Sequence, residues 1–240
     1  MILTAHQPVY LPWLGLFHKI SLADEFVSYD QVQYVPYEWQ NRNRVKTPSG
    51  PVWLTVPVMR KEHFGRRIVD IEIDNSRPWP RKHWRTIEMA YGRAPHFARY
   101  ADFLDETYNR RTWLTLAELN DHLLRWSLAT LGIDIPIVSA GEFDFKGTKS
   151  DRILDMCQVL GSDVFIFGGE GDKYADVPSF ERAGVRPVFQ TYNHPVYPQL
   201  HGTFVSHLSV IDLLANCGDD SLDILLSGNI TRADVEGGVA

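Results

Sequence analysis

Apolar positions along the chain recur with two periods, and the change from one to the other divides it into three stretches. At the start, Met1–Ala5 is a short apolar run of buried-strand length, and Pro8 and Pro12 punctuate the loop after it. Trp13–Leu22 has helical spacing, with Leu14, Phe17 and Leu22 on one face. "DEFVSYDQVQY" then reads as a second strand that sends Phe26 and Val27 inward. Val52–Val58 and Arg67–Ile73 read as further strands, the latter alternating with period two. From Pro80 to Leu131 the period becomes helical. Segments Lys82–Tyr91 and Phe97–Thr107 are separated by Pro95, and Leu116, Leu119, Leu123 and Trp126 share one face of a third. Beyond this, elements alternate: strand Ile135–Ser139, helix Asp151–Leu160, strand Val164–Phe167, helix Pro178–Ala183, strand Pro187–Thr191.

Strands separated by helices of this length predict parallel pairing through crossovers. An amphipathic helix is expected over Leu208–Cys217, and "SGNITRADVEGGVA" reads as a frayed or disordered tail. The expected fold is α/β: a mostly parallel sheet with helical crossovers and a helical middle insertion or lid at about 78–131. One domain spans 1–218, and 219–240 form a C-terminal helix and flexible tail.

Composition alters this little. A chain of 240 residues, 44% hydrophobic, suits one domain with a full core. A net charge of −6 argues against a general nucleic-acid or anionic-membrane binder. Positive charge is nevertheless clustered, with Arg42, Arg44 and Lys46 together and Arg81, Lys82, Arg85 and Arg93 later. Such clusters suit a small anionic ligand or a solvated face equally. Two cysteines make no disulfide framework, and Cys157 shares a helix face with Ile153 and Leu160 as a buried, inert thiol would. No basic region precedes the first apolar residues and no window approaches about 18 apolar residues, so neither signal peptide nor membrane span is expected. The cytoplasm is the expected compartment.

Four polar clusters fall at predicted strand ends, where open α/β sheets bind ligands. In the first, His6 and Gln7 follow strand one, with Tyr10, Trp13, Gly15, His18 and Lys19 close behind. The histidines exchange protons near neutrality, Gln7 both donates and accepts, and Lys19 offers a point charge. Packing aromatics and a solvated lysine are the plainer alternative. In the second, Tyr37–Gly50, Gln40, Asn41, Arg42 and Asn43 suit hydroxyls and phosphates, Lys46 adds charge and Trp39 can stack. Alternating Asn and Arg favours a shaped loop there, a solvated hairpin before the "TPSG" turn being the alternative. Asp30 and Gln33 lie just upstream. In the third, Gly168, Gly169 and Gly171 let backbone approach a ligand, with Glu170, Asp172 and Tyr174 beside them; a flexible turn is the alternative. In the fourth, His194, Tyr197, Gln199 and His201 are framed by prolines. The spacing of His194, His201 and His207 gives no ligand pair, so no metal site is expected, and a G-x-S-x-G elbow is absent.

Together "HQPVYLPWLGLFHK", "DQVQYVPYEWQNRNRVKT", "WLTVPV", "ELN", "LGID", "GGEGDKYAD" and "YNHPVYPQLHGTFVSHLSVIDLLANCG" resemble the WbqC-like protein family, from Ile2 to about Gly218. The resemblance implies a biosynthetic setting, that of bacterial O-antigen and other surface polysaccharides, aminosugars or natural products. It also implies a small or nucleotide-sugar substrate and a transferase or ligase that adds an aminoacyl or acyl group. A second resemblance covers about 35 residues: strand, proline loop, Gly15 and His18 at the helix, then "AD" and a strand look like the opening of the HIGH-type nucleotidyltransferases. Those enzymes include adenylate-forming ligases, so this likeness implies ATP with magnesium, although the first histidine of H-x-G-H is missing. "KGTKSDRI" (Lys146–Ile153) resembles the phosphate-binding segment of the same group, or is a helix start capped by Thr148 or Ser150.

These readings converge on amide or ester formation with His6 or His18 as general base, assisted by Gln7. Tyr10, Trp13, Gly15, Lys19, Asp30, Gln33, Trp39, Gln40, Asn41, Arg42, Asn43 and Lys46 are expected to hold substrate or phosphate from one side. Gly168, Gly169, Glu170, Tyr174, His194, Tyr197 and Gln199 are expected on the other. A nucleotidyltransferase or adenylating ligase and a non-catalytic scaffold are the rivals. The sequence leaves the oligomeric state open.

Overall fold

The computed structural model describes residues 1–59 and 65–238. β1 (Ile2–His6) leads through α1 (Leu14–Ser21) to β2 (Glu25–Ser28). A long excursion follows: the hairpin β3 (Arg42–Thr47) and β4 (Gly50–Thr55), then α2 (Trp79–Tyr91), α3 (Ala98–Asp105) and α4 (Leu116–Leu131). β5 (Ile137–Ser139), α5 (Ser150–Leu160), β6 (Val164–Phe167), α6 (Val177–Arg182) and β7 (Arg186–Phe189) then alternate, and α7 (Val210–Cys217), α8 (Ser221–Leu226) and α9 (Arg232–Gly237) follow.

The main sheet is five-stranded and all parallel, in the order β5-β2-β1-β6-β7, so the fold is α/β with a helical insertion. β1 and β6 are central, and their sequences ("ILTAH", "VFIF") are the near-continuous apolar runs that a strand covered on both faces requires. From β1 the chain builds outward through β2 and β5, then crosses back to β6 and builds the other way. The direction of winding therefore reverses between β1 and β6, and the carboxyl ends of these two strands flank the crevice where such sheets take ligands. One core layer packs Leu3, Val27, Phe165, Phe167 and Phe180; the largest lies between α1, the hairpin and α2, α3, α4 and α7.

Three expected elements differ. Arg67–Ile73 is not a strand but a 3₁₀ turn (Ile68–Asp70) with isolated bridges, among them Gln33 to Arg67 and Val58 to Ile73. Ile68, Ile71 and Ile73 are all buried, which produced the alternation without a continuous strand partner. Conversely, the expected loop at Arg42–Thr47 is a strand, fully paired with β4. Nor is this hairpin merely solvated: Asn43, Val45, Lys46 and Thr47 are buried. Asn43 earns its place by donating from Nδ2 to Leu11 O and accepting at Oδ1 from Arg44 N.

Finally, the stretch expected to fray contains α9. Thr231 and Asp234 form a capping box there, Val235 is buried against Ile2, Ile166 and Val188, and Arg232 pairs with Asp24. Val239 and Ala240 lie outside the described residues. At α5 the expected cap is not formed: Lys149 sits at the N-cap with φ 50°, and Ser150 Oγ accepts from Asp176 N instead.

Candidate functional site

β1 ends at His6, and its position at the winding reversal puts the following loop at the crevice. His6 Nδ1 donates to Gln7 O at 2.8 Å, which fixes the tautomer and leaves the Nε2 lone pair. Burial, and then the neighbouring Lys19 charge, push the imidazole down to about 3, so His6 is neutral throughout the ordinary pH range. Trp13 meets the ring edge-on at 5.4 Å.

Lys19, on α1 beneath the loop, is 3% exposed. Its Nζ donates to Ala5 O at 2.9 Å, and no carboxylate pairs with it among the described residues. Burial without a counter-ion pulls the ammonium down to about 7. A buried lysine that exchanges its proton near neutrality, behind a neutral histidine at the end of a central strand, suits proton-transfer chemistry.

Around them runs a chain of amides. Gln40 Nε2 donates to Gln7 Oε1 at 2.6 Å, and Asn120 Nδ2 of α4 donates to Gln40 O at 2.8 Å. A small recess opens here, lined by Gln7, Pro8, Pro12, Ser28, Asn120 and Asp121 among others. Asn120 is 1% exposed and its Oδ1 has no partner among the described residues. Asp30, just beyond β2, accepts from Gln31 Nε2 at 2.9 Å. Asn120 escaped the sequence reading, yet it left a signal: an amide on the buried stripe of Leu116, Leu119, Leu123 and Leu124.

On the other side of the crevice, β6 runs into Gly168 and Gly169. Neither adopts positive φ; a Cβ on Gly168 would meet nothing within 4 Å, and one on Gly169 only Gln190 O at 3.7 Å. The fold itself thus does not require glycine there, and the open space is available to a bound group. Gly171 differs, since its Cβ would lie 2.4 Å from Phe167 Cβ. Gly171→Ala is accordingly expected to cost about 1–3 kcal/mol through overpacking. Gly168→Ala is expected to stay within about 0.5 kcal/mol of the parent. Denaturant midpoints check both, and equal losses would refute the distinction. Glu170 pairs with Lys173 at the surface, and Tyr174 packs edge-on to Phe167.

Other expected residues go elsewhere. His18 is fully buried: Nε2 donates to Ile230 O at 3.0 Å and Nδ1 accepts from Gln190 Nε2 at 2.6 Å. With both nitrogens engaged it has no lone pair for a substrate proton, which corrects its expected role as a base. Gly15 is tight against Tyr192 and Trp13, a packing glycine rather than an opening for ligand. Tyr10 faces the insertion, bonding His83 Nδ1 at 2.8 Å and Tyr108 Oη at 2.6 Å. Asn41 donates to Val56 O, and Gln33 is an exposed bridge partner of Arg67. His194 donates from Nδ1 to Pro195 O and accepts at Nε2 from His207 N. Tyr197, Gln199 and Lys46 join Asp212 in a buried network behind the hairpin. Arg42 stacks over Trp53, and Trp39 lies between Trp53 and Trp13. Lys146 and Arg152, in the expected phosphate segment, pair with Asp144 and Gly147 O beside the edge strand β5, away from the reversal. Cys157 is buried, and burial pushes its thiol up to about 12.

Among the described residues no helix is long and apolar enough to cross a membrane. No solved structure matches the chain. The uncharacterized protein Rv1507c of Mycobacterium tuberculosis is 35% identical to it over 220 residues, covering 91% of this chain and 95% of that one. The model of the WbqC-like protein family matches residues 7–224, a span that takes in His6's neighbour Gln7, Lys19, the hairpin and the Gly168–Gly171 turn. The chain belongs to the WbqC-like protein family.

Proposed function

We propose that the protein is a biosynthetic transferase that joins an acyl or aminoacyl group to an amine, of the aminosugar kind, at the crevice between β1 and β6. The observation that carries this reading is Lys19: buried, free of any carboxylate among the described residues and held at about 7, directly behind the neutral His6. An amine attacking a carbonyl carbon must shed a proton as the new C–N bond forms and the donor's leaving group departs. The group best matched to accept that proton at pH 7 is one whose own pKa lies there. In this reading Lys19 is the proton acceptor and His6 Nε2 orients the amine. Gln7, held by Gln40, and Asn120 Oδ1 supply polar contacts in the recess. Gly168 leaves room for the donor.

The test pairs nucleotide-linked aminosugars with acetyl and aminoacyl donors and reads the mass of the coupled product. Lys19→Met, which removes the proton acceptor, is expected to lower product formation by about 10²–10⁴-fold. An unchanged rate would overturn the assignment.

A second reading, an adenylating or nucleotidyl-transferring enzyme, is favoured by the strand order, which places a glycine turn at the reversal point as nucleotide-binding sheets do. Release of AMP or pyrophosphate from ATP, dependent on added acid and amine, separates it from direct acyl transfer.

A further inference from the structure

The β3–β4 hairpin carries an arrangement that the fold does not explain. Arg42 and Arg44 lie two residues apart on β3, on the same face, and both guanidiniums sit over the Trp53 indole, at 4.4 and 5.5 Å from its centroid. Stacking on an aromatic face is favourable for each, but it brings two like charges to one ring. Among the described residues no carboxylate pairs with either. Carboxylates do reach Arg67 (Asp70), Arg77 (Asp74), Arg99 (Asp219) and Arg125 (Asp121), whereas Arg42 and Arg44 share one indole in place of a counter-ion. Arg44 reaches His207 O through Nη2, yet among the described residues the buried Nε atoms of both Arg42 and Arg44 have no partner.

A second, independent observation lies beside them. Tyr37 has φ 64°, in the left-handed region that costs an ordinary side chain roughly 1–2 kcal/mol. It is also 68% exposed, so burial of its ring does not repay the strain. What that backbone accomplishes is to hold an outward aromatic ring 5.8 Å from the Arg42 guanidinium. Strain kept at an exposed aromatic marks a position held for contact with something else.

We propose that this face of the hairpin binds the phosphate ester of a ring compound, with the phosphate on Arg42 and Arg44 and the ring against Tyr37 and Trp53. Two planar forks side by side match phosphate oxygens in a way that lysines do not, and flanking aromatics favour a ring over bare phosphate. The surface is continuous with the crevice: rings run from Trp53 to Trp39 (5.5 Å), Trp39 to Trp13 (5.6 Å) and Trp13 to His6 (5.4 Å). A ligand anchored on the hairpin therefore extends toward His6. Only that direction rests on the proposed transferase reading; the binding itself is measured without turnover.

Calorimetric titration of the full chain with glucose 1-phosphate, AMP, inorganic phosphate and glucose tests this. Binding of glucose 1-phosphate or AMP, more tightly than inorganic phosphate or glucose, is expected, and the tighter of the two identifies the ring. Arg42→Gln and Arg44→Gln are each expected to weaken it roughly tenfold, the size of one charge-assisted contact. Arg42→Lys keeps the charge but loses the fork and is expected to weaken it too, while thermal melts confirm that each variant folds. Equal affinity for inorganic phosphate, insensitivity to both Gln variants, or no heat from either ester overturns the proposal.

Discussion

Replacing Lys19 with methionine is expected to make the protein more stable and, in the same molecule, inactive. Proton linkage is the cause. In the folded protein Lys19 is held at about 7 by burial, against 10.5 for a lysine in water. The unfolded chain thus binds the proton more tightly than the folded one. The penalty is fully present below about pH 7, shrinks as pH rises, and is gone above the unfolded value near 10.5. A shift of this size corresponds to a few kcal/mol at neutral pH. Methionine fills similar volume without the charge; it forfeits the bond to Ala5 O, worth about 1 kcal/mol. The expected net gain at pH 7 is about 1–3 kcal/mol, or roughly 5 °C in melting temperature for a chain of this size. The gain should vanish by about pH 10. Thermal melts of both proteins from pH 6 to 10 give the answer. A methionine variant that melts lower at pH 7 would mean that Lys19 is a structural brace, and the proton-acceptor reading would fall with it.

The opposite result is expected at Lys46. This lysine is 2% exposed and donates to Thr203 O at 2.7 Å and Gln199 Oε1 at 3.1 Å. Gln199 Nε2 in turn donates to Asp212 Oδ2 at 2.6 Å, where Tyr197 Oη also donates at 2.9 Å. One amide thus stands between a buried cation and a buried anion, oxygen toward the first and nitrogen toward the second. Burial holds the Asp212 carboxyl above the usual carboxylate range, while its hydrogen bonds and Lys46 oppose that rise. Lys46→Met strands this carboxylate, at an expected cost of about 3–5 kcal/mol. That corresponds to roughly 10 °C or more in melting temperature. Asp212→Asn should cost less, because it removes the charge and keeps an acceptor. In a double-mutant cycle the two changes should be far from additive. Additive losses would show that amide and charges act separately.

These two lysines show where sequence reading succeeds and where it stops. Lys19 and Lys46 look alike in the sequence, each a cation near aromatic and polar residues. Only the burial without a carboxylate of one, and the network of the other, tell them apart, and both depend on partners distant in the chain. β1, β6 and the alternation after Ile137 were legible because fully covered strands are continuous apolar runs. The position of His6 and Gln7 at the crevice followed from that. β3 was not legible, because Asn43 is a poor strand former, retained there through its bond to Leu11 O. His18 looked reactive because its partners, Gln190 and Ile230, lie 172 and 212 residues along the chain. Asp212 and Asn120 were hidden in apolar helix stripes, where the polar exception was itself the clue.

The central place of β1 also governs how this chain is made. β2 arrives soon after it and covers one edge, but Ile2, Leu3 and Thr4 pair on the other edge with Val164, Phe165 and Ile166. During synthesis the first strand must wait, one row of amides and carbonyls open, until more than half the protein has been translated. An apolar strand with an open edge is the species that mispairs with other chains. The nascent chain therefore passes through its most aggregation-prone stage early and leaves it late, and its yield in a cell depends on how well that edge is shielded until β6 emerges.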